Sequence, residues 1–361
     1  MEQRSIYTRA EEVKDRFGMT SEEAGRLDKI IEKYPMSVPD YYLSLADSSD
    51  PEDPIRRMCI PSPEELDSGG DTDTSGEADN TVALGLQHKY SATVLILSTN
   101  RCAMYCRHCF RKRMVGATEA EINKNFLNTV RYISEHKEVS NVLLSGGDFL
   151  MLSDQMIKSY LQAFSEMEHL DFIRLGTRIP VVMPDRVRKD LELQETLREY
   201  AKKKQLFIIT QFNHPREITK EAFDCIRIFR EAGIIVRNQT VLLKGVNDRP
   251  EILGELLRRL TAVGVLPYYV FQCRPVRGVK SRFQVPLEEG VRIVDGAKEM
   301  QNGQGKSFRY CMSLPQGKVE ILGKLEDGKM LFKFHQAKEE KDSARIFTKE
   351  LEPGQCWLEL E

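Results

Sequence analysis

Long hydrophobic runs are missing from this sequence. No window approaches the ~18 consecutive apolar residues that a membrane-crossing helix needs, which excludes a membrane-spanning helix. The opening residues, M-E-Q-R-S-I-Y-T-R-A-E-E, lack the apolar stretch of a secretory signal, so a soluble cytoplasmic protein is expected. An excess of either charge is missing too. With 53 Lys and Arg against 55 Asp and Glu, the formal net charge is −2, and neither nucleic acid nor an anionic membrane is expected as a partner. Nor is there a disulfide framework: Cys59, Cys225, Cys273, Cys311 and Cys356 are scattered and read as thiols of a reducing compartment.

The other three cysteines stand together. Residues 100–114 read N-R-C-A-M-Y-C-R-H-C-F-R-K-R-M, which places Cys102, Cys106 and Cys109 at C-x3-C-x2-C spacing. At that spacing one loop can wrap three thiolates around a single metal centre. Three is the informative number, because a 4Fe-4S cluster held by three cysteines leaves one iron open to a small molecule, whereas an electron-transfer cluster normally takes four. Arg101, Arg107, Arg111, Lys112 and Arg113 flank the loop and favour thiolates and anionic ligands. Two rival readings stay open. A zinc knuckle would need a fourth ligand, with His108 the nearby candidate, and zinc sites usually use C-x2-C pairs. An Fe-S electron carrier or sensor would draw its fourth ligand from Cys273 or Cys311.

The cysteine spacing, with aromatic Tyr105 just before the second cysteine, resembles the signature of the radical S-adenosylmethionine (SAM) enzymes. The wider run C-A-M-Y-C-R-H-C-F-R-K-R is similar to the lysine 2,3-aminomutase family. The resemblance implies a 4Fe-4S cluster on Cys102, Cys106 and Cys109, and SAM on the open iron, cleaved to a 5′-deoxyadenosyl radical. It further implies a flavodoxin- or ferredoxin-like reductant, a small-molecule amino-acid substrate and Tyr105 on the cofactor side.

Residues 8–35 read as helices with caps at Thr8 and Thr20. Three prolines between 51 and 61 then argue against helix. Residues 64–80, acidic and rich in Gly and Ser, read as a flexible surface loop. From residue 89 short β-rich runs starting at Thr93, Asn141, Asp171, Leu206, Ile234 and Tyr268 alternate with amphipathic stretches near 119–136, 154–168, 186–203, 217–232, 250–263 and 287–300. Such alternation implies parallel strands and right-handed crossovers. The expected fold is therefore α/β: a partial (β/α)6 barrel over 89–305, open on one side, as the family resemblance also implies. It carries an N-terminal helical extension (1–88) and a C-terminal β-hairpin region (306–361) around a D-G turn.

In parallel barrels chemistry gathers after the strands. The second strand is followed by Ser145, Gly146, Gly147 and Asp148, either a tight turn or, by resemblance, the element that holds the SAM amino group through its backbone. G-T-R-I-P and Q-F-N-H-P follow the third and fourth strands, and the resemblance puts Arg178, Gln211 and His214 on the SAM side, with His214 equally readable as a loop-fixing hydrogen bonder. Gln239 in N-Q-T-V-L-L-K-G-V-N-D is expected to face the cofactor.

Arg111 occupies the place where the family grips the substrate carboxylate, and its fork suits that task; a rim salt bridge is the alternative. The chain departs from the family elsewhere. Lysine-specific members have an acid after the strand-six Q-C, where this chain has Arg274, so the charge is reversed and an acidic substrate is expected. The family lysine that carries pyridoxal phosphate (PLP) lies in D-A-P-G-G-G-G-K; here the nearest equivalent is M-S-L-P-Q-G-K, making Lys318 the candidate. His88–Tyr90, H-K-Y, resembles the family's phosphate-contacting H-R-Y, but a further basic family position is Thr93. PLP is thus left open, with a PLP-independent radical SAM enzyme acting on another substrate or peptide as the alternative.

Overall fold

A computed structural model of the chain describes residues 6–360. Six parallel strands form its centre: β1 (Thr93–Thr99), β2 (Asn141–Gly146), β3 (Phe172–Gly176), β4 (Gln205–Thr210), β5 (Ile235–Leu242) and β6 (Leu266–Gln272). Each pairs with the next in sequence order. The helices between and after them are α1 (Phe126–Glu135), α2 (Asp154–Ser165), α3 (Leu191–Lys203), α4 (Lys220–Glu231), α5 (Pro250–Ala262) and α6 (Leu287–Glu299). The expected strand-then-helix order is present throughout.

The sheet does not stop at the sixth unit. Residues expected to belong to a separate C-terminal hairpin form β7 (Arg309–Leu314), which lies parallel to β6 because α6 returns the chain in the same direction. The hairpin itself is β8 (Gly317–Lys324) and β9 (Met330–Ala337), followed by β10 (Ile346–Lys349). At the other edge, Leu86–Tyr90 pairs antiparallel with β1, and Thr81–Ala83 pairs outside it, giving one sheet of twelve strands. Its arc curls until distant strands meet: Lys89 Nζ donates to Leu314 O at 2.6 Å, and Lys318 Nζ lies 5.0 Å from the Tyr90 ring centre.

Alternation within the strands sorts residues between two faces. In β5, Val236, Asn238, Thr240 and Leu242 are buried, whereas Arg237, Gln239 and Val241 face a central cavity. The same holds in β2, where Val142 and Leu144 are buried and Asn141, Leu143 and Ser145 line the cavity. The lumen is therefore the polar face and the dry core lies under the helices.

Three local expectations need correcting. Helix Ser21–Lys33 starts on the Thr20–Glu23 capping box, but residues 10–13 and 15–17 are short 3-10 turns, so Thr8 caps no long helix. Pro54–Cys59 is helical despite its prolines, since Pro54 occupies the first turn, where its missing N–H costs nothing, and Asp53 accepts from Ile55 N and Arg56 N at 2.9 Å. The acidic stretch 64–80 is anchored at two points: while Asp67, Asp71 and Asp79 stay exposed, Glu65 and Glu77 are buried among cations of the cysteine loop. Their charge, which reads as solvent-seeking in sequence, is what anchors the stretch.

Candidate active site

The cysteine loop leaves the C-terminal end of β1 and is pinned from beneath by the N-terminal segment. Tyr105 N donates to Ser37 O and Arg107 N to Met58 O, both at 2.9 Å. The Arg107 guanidinium is wholly buried between Glu65, Tyr34 O and Pro35 O. Lys112 also pairs with Glu65, while Arg111 and Arg113 pair with Glu77. These flanking cations thus hold the loop in place through carboxylates, and Arg111 and Lys112 also act on the Cys109 thiol. The cation that meets a thiol comes from after β3, where Arg178 Nη1 lies 2.8 Å from Cys106 Sγ and Nη2 2.5 Å from Glu217 Oε1.

Cys102, Cys106 and Cys109 all line the cavity. Among the described residues the one trio of His, Cys, Asp or Glu ligand atoms lying within 4.8 Å of one another is His88, His136 and Glu138, so at least one pair of the three thiols is farther apart than that. A single tetrahedral zinc with Zn–S bonds of about 2.3 Å would draw its thiolates to about 3.8 Å apart. His108 belongs to no such group of ligand atoms among the described residues; its Nε2 lies 3.2 Å from Asn213 Nδ2, and its buried Nδ1 has no partner. Of the scattered cysteines Cys273 also lines the cavity, but the thiol acting on it is Cys356, whereas burial and then Asp148, Cys109 and Cys106 push the Cys102 thiol up.

Ser145 to Asp148 form a tight turn that also lines the cavity. The glycines are needed for a reason the sequence hid. The cysteine loop folds back on this turn, with Gly147 N donating to Thr99 O and Asp148 N to Arg101 O, and a Cβ on either glycine would strike those carbonyls. Asp148 accepts from Arg178 N at 2.6 Å and Leu150 N at 3.1 Å; burial nevertheless pushes its carboxyl up to about 6. Gln211 and Gln239 line the cavity, and Gln211 O accepts from Arg178 Nε at 2.9 Å.

Two expected cofactor residues sit elsewhere. His214 is turned off the cavity: its Nδ1 accepts from Arg216 N at 3.2 Å and its own N–H bonds Glu217, which caps a short turn. Tyr105 packs against Gly116 and lines a small crevice with Tyr34, Cys106 and Cys109, while His108 and Phe110 are the aromatic rings of the loop that reach the main cavity.

The cavity measures about 770 Å³. Seven cationic side chains line it (Lys89, Arg111, Arg174, Arg178, Arg237, Arg274 and Lys318) against two carboxylates, Glu77 and Asp148. Glu77 already engages Arg111 at Nε and Nη2, leaving an Nη1 edge with only a 3.4 Å contact to Gly146 O. Arg274 lies over the Phe110 ring, 4.2 Å from its centre, with Nη1 unpartnered. Lys318 donates to Gln336 Oε1 at 2.8 Å; burial, with Arg174 and Arg274 adding to it, pushes the amine down to about 8. Arg174 and Arg237 went unremarked in the sequence, where an arginine alternating with apolar residues looks like a solvent-facing position.

The sequence model of the radical SAM superfamily matches residues 96–257. A protein of Aquifex aeolicus (strain VF5), provisionally named L-lysine 2,3-aminomutase, is 38% identical over 340 residues, 94% of this chain and 90% of that protein. The L-lysine 2,3-aminomutase of Acetoanaerobium sticklandii is 36% identical over 305 residues, 84% of this chain and 71% of that one. This chain belongs to the lysine 2,3-aminomutase family of radical SAM enzymes. The family also takes in the glutamate 2,3-aminomutase of Clostridioides difficile (strain 630), 35% identical over 301 residues, 83% of this chain and 70% of that one.

As a family member the chain is an enzyme of the aminomutase-like isomerase type. The family implies a 4Fe-4S cluster and SAM, and the residues fit: three thiols line one cavity, with at least one pair more than 4.8 Å apart, beside a glycine turn stapled to the same loop. PLP fits as well, since a lysine amine with a depressed pKa shares the cavity with guanidinium nitrogens of Arg174 and Arg237 that have no partner.

Proposed function

We propose that this chain is a radical SAM aminomutase whose substrate is an amino acid with a second carboxylate. Arg274 carries the reading. A half-buried arginine with a buried, unpartnered Nη1, held over Phe110, stands where the family resemblance puts an acid in lysine-specific members, and Glu77, the carboxylate that acts on it most, is already bound to Arg111 and Arg113. A lysine ammonium in the same place would meet like charge. The glutamate 2,3-aminomutase among the relatives agrees with this choice.

In this reading Cys102, Cys106 and Cys109 hold the cluster, and Ser145, Gly146, Gly147, Arg178, Gln211 and Gln239 surround SAM. Lys318 carries PLP. When bound, these groups supply a 5′-deoxyadenosyl radical that takes a hydrogen from the substrate and a π-system that accompanies the amino shift. The chain's own residues bind and orient. The Nη1 edge of Arg111 takes one substrate carboxylate and Arg274 the other, which fixes the carbon chain between them. The enclosed barrel excludes water from the reacting atoms.

The test is anaerobic turnover of glutamate and lysine by wild type and Arg274→Asp. Wild type is expected to convert an acidic amino acid and to leave lysine untouched, and the variant to lose at least about thirtyfold in kcat/KM on the acidic substrate. Efficient turnover of lysine by wild type sinks the reading.

A further inference from the structure

Resting on the reading of Lys318 as the PLP lysine, we propose that the phosphate anchor of this chain lies on β3 and β5, with Arg174 and Arg237 as the residues that grip the phosphate group. The observation behind it is a loss and a gain on the same inner wall. By the family resemblance a further basic position, at the start of β1, is Thr93, which can offer a phosphate no charge, and Lys89 of the retained H-K-Y spends its amine on Ser75 O and Leu314 O. Thr93 stands level with Asn141 in β2, and Asn141 is bound on both sides: its Nδ2 donates to Thr93 Oγ1 at 3.1 Å, and its Oδ1 accepts from Arg174 Nη2 at 2.6 Å. Asn141 thus tethers the Arg174 guanidinium toward the wall where the cation is missing.

Arg237 joins it from β5. Its guanidinium lies 5.3 Å from the Phe207 ring centre and 4.9 Å from that of Tyr268, a placement that aims it without neutralising it. Arg174 Nε and Arg237 Nε have no hydrogen-bond partner, and among the described residues neither arginine forms an ion pair. Two guanidiniums inside a cavity with no carboxylate between them repel each other unless an anion is shared. The substrate carboxylates already have Arg111 and Arg274. A phosphate monoester, with its double charge and several acceptor oxygens, matches two planar forks in a way one carboxylate does not. Lys318 belongs to the same group, since Arg174 is the strongest cationic influence on its amine.

The experiment compares PLP with pyridoxal, the same aldehyde without its phosphate, on the full-length, cluster-loaded chain stripped of PLP. Affinity is read by fluorescence quenching, and attachment by borohydride fixation and mass spectrometry of Lys318. Arg237→Ala is expected to weaken PLP about thirtyfold or more while pyridoxal stays within about twofold, and Arg174→Gln to show the same selectivity when both aldehydes are read at a pH above its shifted amine plateau. Arg237→Lys, which keeps the charge and loses the fork, is expected to lose several-fold for PLP alone and serves if the alanine variant does not fold. Unchanged PLP affinity in the Arg237 variants, with Lys318 still labelled, overturns the anchor and leaves the PLP lysine standing. Equal losses for PLP and pyridoxal overturn it too. Absence of label on Lys318 in wild type overturns the PLP lysine and the anchor with it.

Discussion

The amine of Lys318 sits among other cations inside the barrel, and burial first, then Arg174, lowers it to about 8. Only the neutral amine attacks an aldehyde. At pH 7 about a tenth of it is neutral, against about one part in three thousand for an ordinary lysine. The rate of borohydride-fixable PLP attachment is therefore expected to climb about tenfold from pH 6 to 7 and to level off just above pH 8; a climb continuing to pH 10 would show an unperturbed lysine. Removing a neighbouring positive charge raises the amine's pKa, so Arg174→Gln moves the plateau to higher pH. The cysteines divide as sharply. Replacing Cys102, Cys106 or Cys109 with Ala is expected to abolish 4Fe-4S loading, read as iron per chain. Cys225→Ala, on the buried face of α4, and Cys356→Ala, far along the chain, leave it intact.

At the scale of elements, two buried glutamates turn residues 64–80 into a strap over the cysteine loop. Burial by itself would raise the Glu65 carboxyl, but Lys112 and Arg107 outweigh it and hold it below the ordinary value. Glu65→Ala leaves those cations buried and unpaired, which typically costs 3–5 kcal/mol, about that much in a urea titration. The same change is expected to loosen the cysteine loop and lower iron retention, since Arg107 N–H and guanidinium both tie that loop to its base. The glycine turn gives a cleaner contrast. Gly147→Ala puts a methyl group against the Arg101 carbonyl and is expected to cost cluster loading although Gly147 is no ligand. Gly233→Ala, at φ +80 with open space around it, costs only about 1 kcal/mol of backbone strain and leaves iron content unchanged.

Across the whole molecule, near-neutral charge conceals a cavity in which seven cations face two carboxylates. Anions that enter it stabilise the fold by mass action, by about 2.7 kcal/mol at a hundred times their Kd. Inorganic phosphate and PLP are expected to raise the thermal midpoint, and lysine or sodium chloride at matched ionic strength to leave it in place, which differential scanning fluorimetry reads directly. The sequence by itself determined the cysteine loop and the order of the six strand-helix units, because each is written in local spacing or in period-two and helical patterning, while the charge reversal at Arg274 is what the family resemblance implies. What the tertiary structure alone decided is which polar residues face inward. Period two says that Arg174 and Arg237 share a face with Asn141 and Gln239, yet a wet lumen and bulk solvent leave the same pattern. Only closure of the sheet, with Lys89 reaching Leu314 across the barrel, makes that face an enclosed site. The partners of Glu65 and Glu77 were hidden for a related reason: their cations lie more than thirty residues along the chain, and a run of acids reads as solvated until folding places those cations against it.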